Sequence, residues 1–295
     1  MRTPNLYYLI GLPGSGKTRF AYELSGVTGA DVISLGKHRI ESYRRGCTNE
    51  SLILKTFDDD IVMALAEGKD CIVDATNVKG RHRKYFIYNI LKNIDCRKIA
   101  YIVATPYLKC VKDCYHGETA VWNAYTQWQT PGIWEGWDEI WIHYTSPTWI
   151  GMNGTIFDFF ADYNNYHQGN SHHSLPLGEH LVETMEYLDV SDVGLWKIDE
   201  LIYASCLHDC GKPLTRSVKN GEATYYNHHN VGGYEALFFR YPREVDIAYI
   251  SALICHHMDP HFWQGEASMK RYISFYGHPF YKDIMLIYEA DKEAR

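Results

Sequence analysis

The chain has 295 residues, 46% of them hydrophobic, with a net charge of −7. That length fits two domains of roughly 150 residues each, with enough apolar content for ordinary cores. No apolar run approaches the ~20 residues of a membrane span, and the N-terminal apolar stretch lacks a small-residue cleavage site, so it reads as a first strand and not as a secretory signal. The eight Cys follow no regular framework, which points to a reducing, cytoplasmic setting. Residues 1–148 carry +2 and residues 149–295 carry −9, yet 11 of the 15 His fall in the second half. A half rich in His and carboxylates can supply metal ligands, and its negative charge argues against broad nucleic-acid binding by counterion release.

In chain order, strand patterns cover Leu6–Leu12, Asp31–Leu35, Cys71–Ala75, Lys98–Ala104 and Glu139–His143. Helical patterns lie between them at Lys17–Leu24, Ser51–Glu67 and Arg83–Lys92. This alternation predicts an α/β domain over residues 1–148, a parallel sheet with helices on both faces. The turn-rich segment Ser146–Gly154 breaks the pattern. Beyond it the periodicity is helical at Leu177–Leu188, Ile198–Leu207, Val231–Phe239, Val245–His257 and Lys282–Arg295, which predicts an all-α domain over residues 155–295.

Between the first strand and first helix, Gly11-Leu-Pro-Gly14-Ser15-Gly16-Lys17-Thr18 fits G-x-x-x-x-G-K-[ST]. In that context backbone N–H groups and the helix N-terminus cradle phosphates. Lys17 then neutralises the β/γ-phosphates and Thr18 holds Mg²⁺, so ATP or another NTP with Mg²⁺ is the expected cofactor. Asp74, within Asp74-Ala-Thr-Asn77, stands at the carboxyl end of a strand beside the mouth of that loop. It reads as a site carboxylate, with a helix cap as the alternative. The basic run Lys79–Lys84 reads either as a grip on phosphate or as a solvated helix start. Cys110/Cys114 and Cys206/Cys210, at four-residue spacing, read as buried thiols. Five of the eight Trp lie between residues 122 and 141. Packing is the commoner reading of such a cluster, base stacking the other.

Asp74–Asn77, together with Glu135-Gly-Trp-Asp138, resembles the phage-type polynucleotide kinases over about residues 5–145. The resemblance implies phosphoryl transfer to 5′-hydroxyl ends, with Lys17, Arg39 and Asp74 in the site. It also implies an Asp, three residues before Arg39, that takes the proton of the attacking hydroxyl. Gly36 stands there instead. Losing a general base costs ~10²–10⁴ in rate. The lid region Cys110–Glu118 offers Lys112 and His116 where the family carries arginines, and Lys lacks the bidentate fork. These departures from the family imply a kinase domain that is weak, inactive or repurposed.

In the second half His180, His208-Asp209, His228, His257 and Asp291 occur in an order that resembles the HD superfamily of metal-dependent phosphohydrolases. That implies a divalent transition metal (Mn, Ni, Co, Fe or Zn) held by His180, His208, Asp209 and Asp291, with His228 and His257 available to a second. Such a metal lowers the pKa of its water and polarises phosphoryl oxygens. Lys212, one helical turn past His208, is placed to pair with a substrate phosphate. His229 and His256 stay as alternatives one residue away. The segment Gln168–His180, with His172 and His173 as phosphate contacts or loop-ordering groups, and Glu289–Arg295 extend the resemblance to about residues 160–295.

Together the two halves resemble fused kinase–HD enzymes that heal broken RNA ends. The implied chemistry is 5′-phosphorylation by the first domain and removal of a 2′,3′-cyclic or terminal phosphate by the second. The implied partners are RNA ends, tRNA among them, an NTP and an RNA ligase, with no membrane. Two other readings stay open: a small-nucleotide phosphohydrolase with an NTP-sensing first domain, and a non-catalytic scaffold for a partner ligase.

Overall fold

The computed structural model describes residues 2–169 and 174–294, so His172 and His173 lie outside the described residues. The chain divides into two compact units, Met1–Ala124 with Pro131–Thr145, and Tyr125–Thr130 with Ser146–Arg295.

The first unit runs β1 (Asn5–Ile10), α1 (Lys17–Thr28), β2 (Asp31–Ser34), α2 (Leu35–Arg44), α3 (Glu50–Ala66), β3 (Cys71–Asp74), α4 (Gly80–Tyr85), a π turn at Phe86–Ile90, β4 (Arg97–Ala104), α5 (Tyr107–Asp113), α6 (Glu118–Tyr125, whose last residue falls in the second unit) and β5 (Glu139–Tyr144). The five strands are all parallel, in the order β2-β3-β1-β4-β5. Consecutive residues of β1 are buried, Leu6 through Ile10, as expected of a central parallel strand covered on both faces. One face packs Tyr7, Leu9 and Ile72 against Phe20 and Ala21 of α1. The carboxyl ends of β1 and β3 bring residues 11–18 and 74–79 to one edge of the sheet.

Two local features depart from the sequence reading. Leu35, expected at the end of a strand, opens α2. No residue of α2 is buried, so it has no apolar stripe for periodicity to reveal. Residues 125–130, expected in the first domain, pack within the second unit. Trp128 is 0% exposed there, its ring 4.8 Å from that of Tyr234, and Thr130 bonds Ser251. Burial of a large aromatic fixes this excursion, and strand–helix periodicity cannot show it.

The second unit runs α7 (Ile156–Tyr163), α8 (Leu177–Glu186), α9 (Leu195–Leu207), α10 (Lys212–Thr215), β6 (Ser217–Lys219), β7 (Glu222–Thr224), α11 (His228–Ala236), α12 (Ile247–His256), α13 (Glu266–Tyr276) and α14 (His278–Glu293). Its core lies where α9 meets α8, α12 and α14, around Leu181, Leu201, Leu253 and Ile284. The unit is helical but not all-α, because β6 and β7 form an antiparallel hairpin. The reason is local: Asn220 (φ 55°) and Gly221 (φ 86°) both adopt the left-handed conformation that a two-residue hairpin turn requires. The Asn-Gly pair was the available signal. Among the described residues no helix is long and apolar enough to cross a membrane.

Candidate functional site

The phosphate-binding loop is built on glycines at close approaches. Gly14 has φ +78°, and a Cβ there would lie 2.2 Å from the Cys110 carbonyl oxygen. Lys17 folds back across the loop, its Nζ donating to the carbonyls of Gly11 (3.0 Å) and Leu12 (2.6 Å). Burial lowers its pKa to about 8 against the upward pull of Asp74, and an incoming triphosphate would restore the charge. Thr18 Oγ1 and Ser34 Oγ both donate to Asp74 Oδ2, at 2.8 and 3.0 Å. Asp74 therefore faces the Thr18 hydroxyl at the mouth of the loop.

Lys17, Thr18, Gly36, Arg39, Asp74 and His116 line one cavity of about 850 Å³. Lys112 does not line it. Arg39 Nε donates to Glu50 of α3 at 2.9 Å. Nothing in the fold demands glycine at position 36: its φ is outside the left-handed region, and a Cβ would meet only Ser34 Oγ, at 3.6 Å.

The basic run beyond Asp74 is neither purely a phosphate grip nor purely a solvated helix start. Arg83 is fully buried and donates twice to Glu135, at 2.7 and 2.6 Å, and once to the Asn77 carbonyl at 2.9 Å. Asn77, at φ 55°, donates in turn to the Leu9 carbonyl at 2.8 Å. The buried ion pair thus pins the loop after β3 beside the phosphate-binding loop. Arg83→Ala is expected to lower unfolding free energy by ~3–5 kcal/mol, because it leaves Glu135 charged and unpaired in the core. Denaturant unfolding measures this, and a loss under about 1 kcal/mol would show that Glu135 finds another partner. The Trp residues near it differ: Trp137 is buried, its Nε1 donating to Glu135 at 2.9 Å, whereas Trp141 is largely exposed. Cys110, Cys206 and Cys210 are buried as expected, whereas Cys114 is partly exposed and lines the cavity.

In the second unit, α8, the end of α9, the start of α11, the end of α12 and the end of α14 bring six side chains together. His180, His208, His228 and His257 each donate from Nδ1 to a backbone carbonyl: Ala294 (2.6 Å), Ser205, Tyr225 and Ile254 (each 2.8 Å). A carbonyl can only accept, so in each neutral ring Nε2 is left with its lone pair. These lone pairs converge. His180 Nε2 and His208 Nε2 are 3.2 Å apart, and His228 Nε2 and His257 Nε2 are 3.3 Å apart. Two lone pairs facing at that distance repel unless positive charge stands between them.

The carboxylates complete the set. Asp209 Oδ2 lies 3.4 Å from both His180 Nε2 and His208 Nε2, while its Oδ1 lies 3.0 Å from His228 Nε2 and 3.7 Å from His257 Nε2. Asp291 Oδ1 is 3.1 Å from His180 Nε2 and 3.5 Å from His208 Nε2. Asp209 therefore bridges two imidazole pairs. The sets His180–His208–Asp291 and His208–Asp209–His257 each offer buried atoms within 4.8 Å of one another. Without an ion a proton can supply that charge: burial pulls the His208 pKa down, but Asp209 and Asp291 outweigh it and hold the group at about 10. Asp209 and Asp291 are themselves held well below the usual carboxylate range, against burial, by Lys212 and His208 for the first and by His180 and His208 for the second. The cluster calls for cationic charge.

Of the one-residue alternatives, His256 turns away to Asp259, 2.7 Å from Nδ1, whereas His229 lines the cavity beside the cluster. Lys212 is buried, with Nζ 2.5 Å from Asp209 Oδ2 and 2.6 Å from Gln168 Oε1. Sequence reasoning missed His261, whose Nε2 is 3.6 Å from Asp291 Oδ2. The His257-x₃-His261 spacing was its one visible signal. The cluster opens into a cavity of about 450 Å³ that Lys212, His261 and Asp291 also line.

Residues 6–113 match the sequence profile of a family described as an AAA domain. No curated protein sequence matches the chain. Solved structures that resemble it include a candidate kinase from Chloroflexus aurantiacus j-10-fl (14% identity, 52% of this chain and 92% of that chain, TM-score 0.42). A gluconokinase from Sinorhizobium meliloti 1021 (13% identity, 50% and 86%, TM-score 0.36) is another. A third is a Pnkp1/Rnl/Hen1 complex (22% identity, 39% and 40%, TM-score 0.33). The first unit is a P-loop α/β domain for a nucleotide with Mg²⁺. The second is helical and carries a buried His/Asp cluster.

Proposed function

We propose that the chain is a nucleic-acid end-healing enzyme, with a P-loop 5′-hydroxyl kinase-like domain and an HD-type phosphohydrolase domain. The single observation that carries the second half is the cluster of four Nδ1-tethered imidazoles whose Nε2 atoms converge on Asp209 and Asp291. Nitrogen and carboxylate donors in this arrangement suit Mn, Ni, Co, Fe or Zn, and carbonyl-anchored imidazoles are the usual support of metal-bound His. When bound, such an ion polarises the phosphoryl group and makes water nucleophilic at neutral pH. His180, His208 and Asp291 would hold one ion, and Asp209, His228 and His257 the adjoining position. Lys212 offers its ammonium to a substrate phosphate in the same cavity, and its bond to Gln168 keeps it extended. His261, with Nε2 3.6 Å from Asp291 Oδ2 in the same cavity, would help to orient that carboxylate. In the first unit Lys17 would draw charge from the β/γ-phosphates and Thr18 would hold Mg²⁺, oriented by Asp74.

RNA ending in a 2′,3′-cyclic phosphate, incubated with the protein and Mn²⁺, Ni²⁺ or Co²⁺, tests this reading. We expect loss of the terminal phosphate, unchanged in Lys17→Ala protein because that lysine belongs to a separate phosphate site. If Lys17→Ala abolished hydrolysis without unfolding the protein, the two sites would not work independently. If only free nucleotides were hydrolysed, the second reading, a nucleotide phosphohydrolase, would replace end healing.

A further inference from the structure

Tyr226 and Phe262 are 77% and 68% exposed, yet both line the same cavity as Asp209, His228 and His257. Each is placed by the residues that build the cluster. Tyr226 precedes Asn227, whose left-handed backbone (φ 62°) starts α11 and aims His228 inward. Its neighbour Tyr225 is buried, its hydroxyl already donating to the Gln168 carbonyl. Phe262 ends the short 3₁₀ turn Asp259–Phe262, which also carries His261 to Asp291. Large aromatics left in water beside a cavity that needs no packing from them are costly to fold and well suited to stack on a planar ligand.

Charge decides which planar ligand. Among the described lining residues Lys212 is the one lysine or arginine, and Asp209 and Gln168 already engage it. Among the described residues the cavity has no basic track for the backbone of a long strand, in a half of the chain that carries −9. Grip on more than the reacting phosphate has to come from stacking, which tolerates any base because every base has a π-face.

We propose that Tyr226 and Phe262 form a base-stacking rim, so that the cavity takes the terminal nucleotide of a chain, or a free nucleotide, in preference to a phosphoester without a base. The proposal rests on the phosphohydrolase reading of the cluster and adds its substrate class. It distinguishes neither base identity nor strand length. Mn²⁺-loaded protein is assayed on 2′,3′-cyclic AMP and on glycerol 1,2-cyclic phosphate, which lacks a base. Wild-type protein is expected to favour the nucleotide by about 10- to 100-fold in kcat/KM, the range that one stacked base supplies. In the Tyr226→Ala, Phe262→Ala double variant that ratio falls below about threefold, through KM and not kcat, and Tyr226→Phe restores most of it. Both side chains are exposed, so the variants should fold. A double variant that keeps the wild-type ratio overturns the rim and leaves the two aromatics as a docking patch for a protein partner. If wild-type protein hydrolyses neither ester with Mn²⁺, Ni²⁺ or Co²⁺, the phosphohydrolase reading fails instead. Equilibrium binding of adenosine 3′-monophosphate then decides the rim alone: weaker binding by the double variant upholds it, and equal binding overturns it.

Discussion

Asp209→Ala protein is expected to lose its bound transition metal and to hydrolyse phosphoesters about 10³-fold or more slowly, the several kcal/mol that a metal contributes to transition-state stabilisation. Asp209 is the one side chain whose two oxygens reach both imidazole pairs, 3.4 Å from His180 and His208 on one side and 3.0 Å from His228 on the other. Its removal also leaves Lys212 buried with a charge that has lost its closest carboxylate. Asp209→Asn keeps the volume and separates lost ligation from lost folding. His256→Ala is the informative neighbour, because that ring faces Asp259 and not the cluster. It should keep both metal and activity, provided circular dichroism shows that the helices persist. Equal metal content in wild-type and Asp209→Ala protein would contradict the assignment.

Gly36→Asp is expected to raise phosphorylation of a 5′-hydroxyl oligonucleotide by about 10²-fold, the low end of general-base effects. Lys17, Thr18 and Asp74 are in place, so the nucleotide half of the site needs no repair. Position 36 lines the same cavity, has ordinary backbone geometry and leaves room for a side chain. The gain should lie in kcat with ATP affinity unchanged. If wild-type protein already phosphorylates such ends at ordinary kinase rates, another carboxylate is the base. Asp58 of α3 is then the first to test. It lines the cavity, and burial, aided by Asp59, pushes its carboxyl up to about 6. If neither protein phosphorylates ends while both bind ATP, the nucleotide site serves another acceptor or regulation.

The parts of this molecule that were legible in sequence are those where local chemistry repeats a fixed pattern. The phosphate-binding loop needs glycine at Gly14 because the Cys110 carbonyl leaves no space for a Cβ, and that requirement is written in the residue itself. The five strands alternate with helices, so their parallel pairing followed from connection lengths. The structure brings the six ordered His and Asp residues together: the Nδ1 of each of the four imidazoles is held by a backbone carbonyl, and Asp209 and Asp291 turn their carboxylates toward the Nε2 atoms. Features set by distant partners were not legible. Arg83 looked like part of a basic surface run, but its fate is decided by Glu135, far along the chain and within bonding distance in space. Residues 125–130 join the second unit because Trp128 finds Tyr234, a contact that no window of sequence contains. His261 belongs to no part of the ordered His/Asp pattern, and only the fold brings it to Asp291. The hairpin at Ser217–Thr224 is legible in its Asn-Gly turn, a strong local signal set among helical stretches.

The central claim, that the His/Asp cluster is a metal centre, is tested most directly by anomalous diffraction from crystals soaked in Mn²⁺. The account predicts density between the Nε2 atoms of His180 and His208, within ~2.0–2.3 Å of those nitrogens and of Asp291, with a second position beside His228 and His257 when loading is complete. Well-ordered crystals that bind Mn²⁺ at the phosphate-binding loop or on the surface, and show no anomalous density among these six residues, would contradict it.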